Sequence, residues 1–117
     1  MKTFDEKNFL SIIENDLELA KELIDIFLRD SPKLLTELDA AIKMGDGHAI
    51  EKLAHRLKGN LKIVFSPHAV SLAEKIEQMG RTNQLEDCNL ALTEFECTVK
   101  SLFEELGKFK SSINKSQ

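Results

Sequence analysis

The stretch "AHRLKGNLK", residues 54–62, sets His55, Lys58, Gly59 and Lys62 within two turns of a segment whose apolar spacing predicts a helix. An unprotonated imidazole is a nucleophile near neutral pH. If such a ring takes up a phosphoryl group, lysines one and two turns away can balance the added negative charge. At 100° per residue His55 falls roughly 200° from both Leu53 and Leu57, which turns it away from the apolar stripe and toward solvent. Gly59 costs the helix about 1 kcal/mol relative to alanine. It also leaves bare backbone beside the ring, where another protein's active site could close over it. Glu51, one turn back, can orient the ring by accepting from its second nitrogen or can pair with a lysine. The predicted catalytic set is therefore His55, Lys58 and Gly59, with Glu51, Arg56 and Lys62 as the partner-facing set. The short pattern H-x-L-K-G describes a plain solvated helix face equally well, so wider context must decide.

Other chemistries find little support. His48 lies seven residues before His55, about 10 Å along a helix, too far for one metal ion with ligands near 2 Å, and no metal site is expected. Cys88 and Cys97 form neither a disulfide framework nor a CxxC motif. They fit a reducing compartment, with Cys88 a small core residue. No glycine-rich loop or kinase-type nucleotide motif is present, which leaves the chain no recognisable route to draw phosphate from ATP.

The 117 residues are enough for one domain with its own core. A net charge of −4 argues against nucleic-acid binding, although Lys52, Arg56, Lys58 and Lys62 face only Glu51 in the segment 51–62. No apolar run approaches the roughly 18 residues of a membrane span, and "MKTFDEKNFL" is not a secretory signal. The expected location is the cytoplasm, and the expected state is a monomer.

The elements that must position His55 read as helices almost from end to end, without the period-2 alternation of strands. Thr3 and Glu6 have capping-box spacing ahead of a short helix with Phe9, Leu10 and Ile13 inward. Apolar positions Ala20, Leu23, Ile24 and Phe27 continue past Pro32 as Leu34, Leu35, Leu38, Ala41 and Ile42. Pro32 predicts a kink or a short break. Gly45 and Asp46 read as the end of one helix and the cap of the next. The third helix carries Ile50, Leu53, Ala54, Leu57, Leu61 and Val64, and ends at a tight Ser66-Pro67 connection. The fourth carries Ala69, Leu72, Ala73, Ile76 and Met79, and stops around Gly80. Asn83 with Glu86 is expected to open the last helix, with a seam of Leu85, Cys88, Leu92, Phe95, Val99, Leu102, Leu106 and Phe109. The predicted architecture is all-α: an antiparallel four-helix bundle with a short additional N-terminal helix, spanning 1–110, and a polar tail at 111–117.

"LLTELDAAIKMGDGHAIEKLAHRLKGNL" resembles the histidine-containing phosphotransfer (HPt) domain family: an apolar helix, a Gly-Asp turn, then A-H-x-L-K-G on the following helix. The similarity extends through "AVSLAEKIEQMGR", with its Ile76-Glu77 pair, and covers the chain to about Phe109. It departs from the family pattern at Asn60, Leu61 and Ser66-Pro67. The resemblance implies a phosphorelay intermediate in two-component signalling, with His55 as phospho-acceptor, Lys58 as the nearby cation and Gly59 as the access residue. It implies receiver domains of response regulators and of hybrid sensor histidine kinases as partners. The receiver would supply the acidic pocket and its Mg²⁺, so no cofactor is assigned to this chain. The start at Met1 fits a stand-alone carrier, and an excised terminal domain of a hybrid sensor kinase would look the same. The rival reading is a non-catalytic helical docking module that binds an acidic partner through the basic stripe.

Overall fold

The computed structural model describes residues 2–116. Five helices, and no strand among the described residues, account for nearly all of them: α1 (Glu6–Ile12), α2 (Leu17–Met44), α3 (Gly47–Ile63), α4 (Pro67–Thr82) and α5 (Cys88–Ser116). Aspartates open three of these. Asp5 accepts from the Asn8 N–H, Asp16 from Leu19 and Asp46 from Ala49, at 3.2, 3.1 and 3.1 Å. Each satisfies one of the donors that the first turn leaves free. Gly45 ends α2 at φ 67°, the left-handed conformation that a glycine adopts without Cβ strain. Pro67 occupies the first turn of α4, where its missing N–H costs nothing.

α2 touches α3, α3 touches α4, α4 touches α5 and α5 returns to α2, so the four long helices enclose one core. Ile24, Leu38, Ile50, Leu57, Leu61, Ile76, Phe95, Val99, Leu102 and Leu106 are among its fully buried large side chains. Their recurrence at three- and four-residue steps is what places them on inward faces. α2 and α5 have 28 and 29 residues against 17 and 16 for α3 and α4. They therefore overhang the shorter pair by roughly 16–20 Å at 1.5 Å per residue. The N-terminal segment covers that overhang. Phe4 and Phe9 meet Phe109 edge-on with centroids 5.4 and 6.3 Å away, the Asp5 N–H donates to the Phe65 carbonyl at 2.7 Å, and Thr3 is bound to Glu105.

Three local expectations are corrected. The first helix is capped by Asp5, because Thr3 is engaged by Glu105 of α5. Pro32 does not break α2, which runs through it. The proline removes the donor to the Leu28 carbonyl, yet Ser31, Leu34 and Leu38 around it are buried and hold the helix in place. Asn83 does not open α5; it closes α4 in the left-handed conformation at φ 56°. α5 begins at Cys88 and, beyond Phe109, continues with Ile113 buried.

Candidate functional site

α3 and α4 share the most extensive helix contact in the molecule. Two glycines set its spacing. A Cβ on Gly80 would stand 2.7 Å from the Gly47 carbonyl and the Glu51 nitrogen, and one on Gly47 would stand 2.8 Å from the Gly80 carbonyl. Only side-chain-free positions allow the backbones to come this close. One turn before Gly80 on the same face, Glu77 is directed into the junction with its side chain only 5% exposed.

The Glu77 carboxylate is the centre of the site. Its Oε2 lies 2.8 Å from His55 Nδ1 and accepts from Arg81 Nη2 at 3.1 Å, while Oε1 accepts from Lys58 Nζ at 2.7 Å. Burial pushes this carboxyl up, but the hydrogen bonds and charges of Lys58 and His55 outweigh it and hold Glu77 below the ordinary glutamate value. It is an anion at neutral pH. An anionic oxygen facing Nδ1 requires the proton on that nitrogen, which leaves the lone pair of a neutral ring on Nε2. The imidazole is 66% exposed, so a buried carboxylate sets the tautomer of a ring that stands in water.

Glu51, expected near the ring, pairs instead with Arg81 Nε at 2.7 Å. Lys58, at 16% exposure, spends its ammonium on Glu77 and reaches the imidazole only through that carboxylate. Arg56 and Glu51 line an open groove with Lys52, His55, Glu77 and Arg81. Lys62 is exposed and does not line it. Gly59 is exposed, and a Cβ built there meets nothing within 4 Å. No group of three or more metal-ligating side chains occurs among the described residues, and no described helix is long and apolar enough to cross a membrane.

The Hpt domain model matches residues 22–109. The chain belongs to the Hpt domain family. Its fold is also that of histidine-containing phosphotransfer protein B (HptB) from Pseudomonas aeruginosa PAO1. The two superpose with a TM-score of 0.87 over 94% of this chain and 96% of that one, at 21% identity. A search of curated proteins returned no match.

In this Hpt domain, Glu77 and Arg81 join the site through helix packing and stand outside the set that spacing along α3 predicts. A signal for Glu77 was present. Ala69, Leu72, Ala73 and Ile76 define a buried stripe on which Glu77 falls, and an acid on an apolar stripe needs a cationic or hydrogen-bonding partner. Arg81, one turn further, is that acid's i+4 neighbour.

Proposed function

We propose that this Hpt domain is a phosphorelay carrier: His55 takes a phosphoryl group from the aspartyl phosphate of one receiver domain and gives it to an aspartate of another. The observation that carries this reading is the exposed imidazole whose Nδ1 is tied to the buried Glu77 carboxylate. In the forward step the Nε2 lone pair attacks phosphorus in line. The N–P bond forms, the bond from phosphorus to the aspartate oxygen breaks, and its electron pair leaves with the aspartate carboxylate. The ring keeps its Nδ1 proton and becomes formally cationic. Glu77, already hydrogen-bonded to that N–H, balances the new charge without rearrangement, the preorganised kind of stabilisation. Transfer to the second receiver runs the same step in reverse.

Lys58 holds Glu77 in position, and Gly59 clears the approach to the ring. Arg56, Lys52 and Lys62 present positive charge to the acidic pocket of a receiver, which favours fast, salt-sensitive encounter over a permanent complex. The antiparallel four-helix arrangement of α2–α5, with α1 as an added helix and 1–110 as the working domain, is the architecture we take for this role; the closed ring of helix contacts supports it. Partners are receiver domains of response regulators and hybrid kinases, met by a monomer in the cytoplasm.

The test is phosphoryl transfer from a panel of phosphorylated receiver domains to the wild type and to His55→Gln. The expected result is an acid-labile, alkali-stable label on the wild type and none on a folded His55→Gln protein. Equal labelling of both would overturn the assignment.

A further inference from the structure

Three cations line the groove beside His55, Lys52, Arg56 and Arg81, and Arg81 is the one that acids of the groove hold in place. Lys58 is nearly buried, and it holds Oε1 of Glu77. Arg81 is half exposed and divided between two carboxylates, Nε on Glu51 and Nη2 on Glu77. Arg81 Nη2 and His55 Nδ1 reach the same oxygen at 3.1 and 2.8 Å, so the guanidinium lies within about 6 Å of Nδ1, and a change of rotamer in Arg's long flexible side chain has to carry it round the ring to Nε2. Glu51, 30% exposed, holds the guanidinium's Nε from α3, one turn before His55.

We propose that Glu51 and Arg81 form an exchangeable ion pair that sets how long phosphate stays on His55. The proposal rests on the carrier reading. In the resting site Glu51 and Glu77 are paired with Arg81 and Lys58. Phosphorylation of Nε2 makes the ring cationic and adds a group with about two negative charges. Glu77 then has a full positive partner in the imidazole as well as Lys58, and its need for Arg81 falls. The phosphoryl oxygens become the stronger anion in the groove, and a guanidinium binds them through two parallel donors. Arg81 leaves Glu51 for the phosphoryl group.

The consequence concerns hydrolysis. Water takes the phosphoryl group through a loose transition state, in which electron density on the phosphoryl oxygens helps expel the imidazole. The bond from nitrogen to phosphorus breaks, a bond from water oxygen to phosphorus forms, and the water gives up a proton. A guanidinium on the phosphoryl oxygens withdraws that density and slows the loss. Glu51 competes for the same guanidinium and is therefore a positioning residue that shortens the lifetime.

The experiment loads each protein with phosphoramidate, which needs no receiver: Nε2 bonds to phosphorus as the P–N bond of the reagent breaks and ammonia leaves. Phosphohistidine is then followed by ³¹P NMR at neutral pH, with His55→Gln defining any label on His48 or His68. Arg81→Gln is expected to shorten the half-life about fivefold, and Glu51→Gln to lengthen it about threefold. Glu51→Gln combined with Arg81→Gln should match Arg81→Gln alone, because Glu51 acts only through the arginine. Arg81→Lys, which keeps the charge without the fork, should fall between wild type and Arg81→Gln, and it serves as the arginine variant if Arg81→Gln does not fold. Equal half-lives in all these proteins, or a Glu51 effect that persists without Arg81, would overturn the exchange and leave the carrier reading intact. A wild type with no label on His55 would remove both.

Discussion

Glu77 and Glu105 are the two partly or fully buried carboxylates that tertiary contacts hold below the ordinary glutamate range, and they do opposite things. In both, burial pushes the carboxyl up and hydrogen bonds outweigh it. Glu105 is satisfied by the Thr3 N–H at 2.9 Å, the Phe4 N–H at 3.3 Å and the Thr3 hydroxyl. These donors are mainly backbone, cannot leave, and do nothing but fasten the N-terminal segment over the core. Glu77 is satisfied by three side-chain ends, one of them an imidazole standing in solvent. A buried carboxylate bound by backbone closes a structure. One bound by side-chain ends orders the groups around it, and on the proposed function that order serves the transfer.

The comparison is broken most severely at Gly80. Alanine there would place Cβ 2.7 Å from backbone atoms of Gly47 and Glu51, which cannot yield without parting the helices. A loss of about 3 kcal/mol is expected, measured by urea unfolding. Because the α3–α4 spacing is also what brings Glu77 to His55, the remaining folded protein should label poorly.

Glu77→Gln comes next. It removes the anion from two cations and a ring that have no other buried acceptor, a cost of about 2 kcal/mol. The imidazole also loses its counter-charge, so phosphorylation by a receiver should slow about tenfold. Glu105→Gln keeps one acceptor and turns an amide toward the Thr3 and Phe4 donors, for a cost of about 1 kcal/mol. Transfer rates should stay at the wild-type value, since Glu105 lies on α5 away from the groove. Equal effects of the two substitutions on transfer would erase the distinction between them.

Acid titration sharpens the same contrast. Both carboxyls have folded-state values below the ordinary 4.5. Each thus contributes stability that is complete above that value and is lost as the pH falls through the lower folded one. Denaturation midpoints should be flat at neutral pH and fall in that acid window, and Glu77→Gln or Glu105→Gln should each flatten part of the fall.

How much of this was legible depended on how local the deciding interaction is. The inward faces, the Gly45-Asp46 junction and the aspartate cap of α3 follow from spacing and cap chemistry within a turn, and they match the structure. Thr3 misled because its partner is 102 residues away. Asn83 serves equally as an N-cap or a left-handed C-cap, and the packing of α4 against α3 decides between them. Pro32 reads as a kink or a short break because local propensity disfavours it, while burial along α2 carries the helix through without a break. At the site, His55 and its exposure were readable from helical angle alone. Its carboxylate partner was not: Glu51 is the neighbour in sequence, but the helix crossing brings Glu77, 22 residues on, to Nδ1.

Gly59 gives the smallest expected effect on stability and separates folding from function. The 2.7 Å clash at Gly80 shows what a glycine required by the fold looks like; at Gly59 an added Cβ meets nothing within 4 Å. The isolated protein therefore gains nothing from the missing side chain and bears its helical cost. Gly59→Ala should raise stability by up to about 1 kcal/mol. Loading by phosphoramidate, a small donor, should be unchanged. Transfer from a receiver domain, whose active site must close over the imidazole, should slow, and Gly59→Leu should slow it further. If both donors are equally unaffected, Gly59 is not an access residue, and the partner approaches His55 from the Arg81 side of the groove.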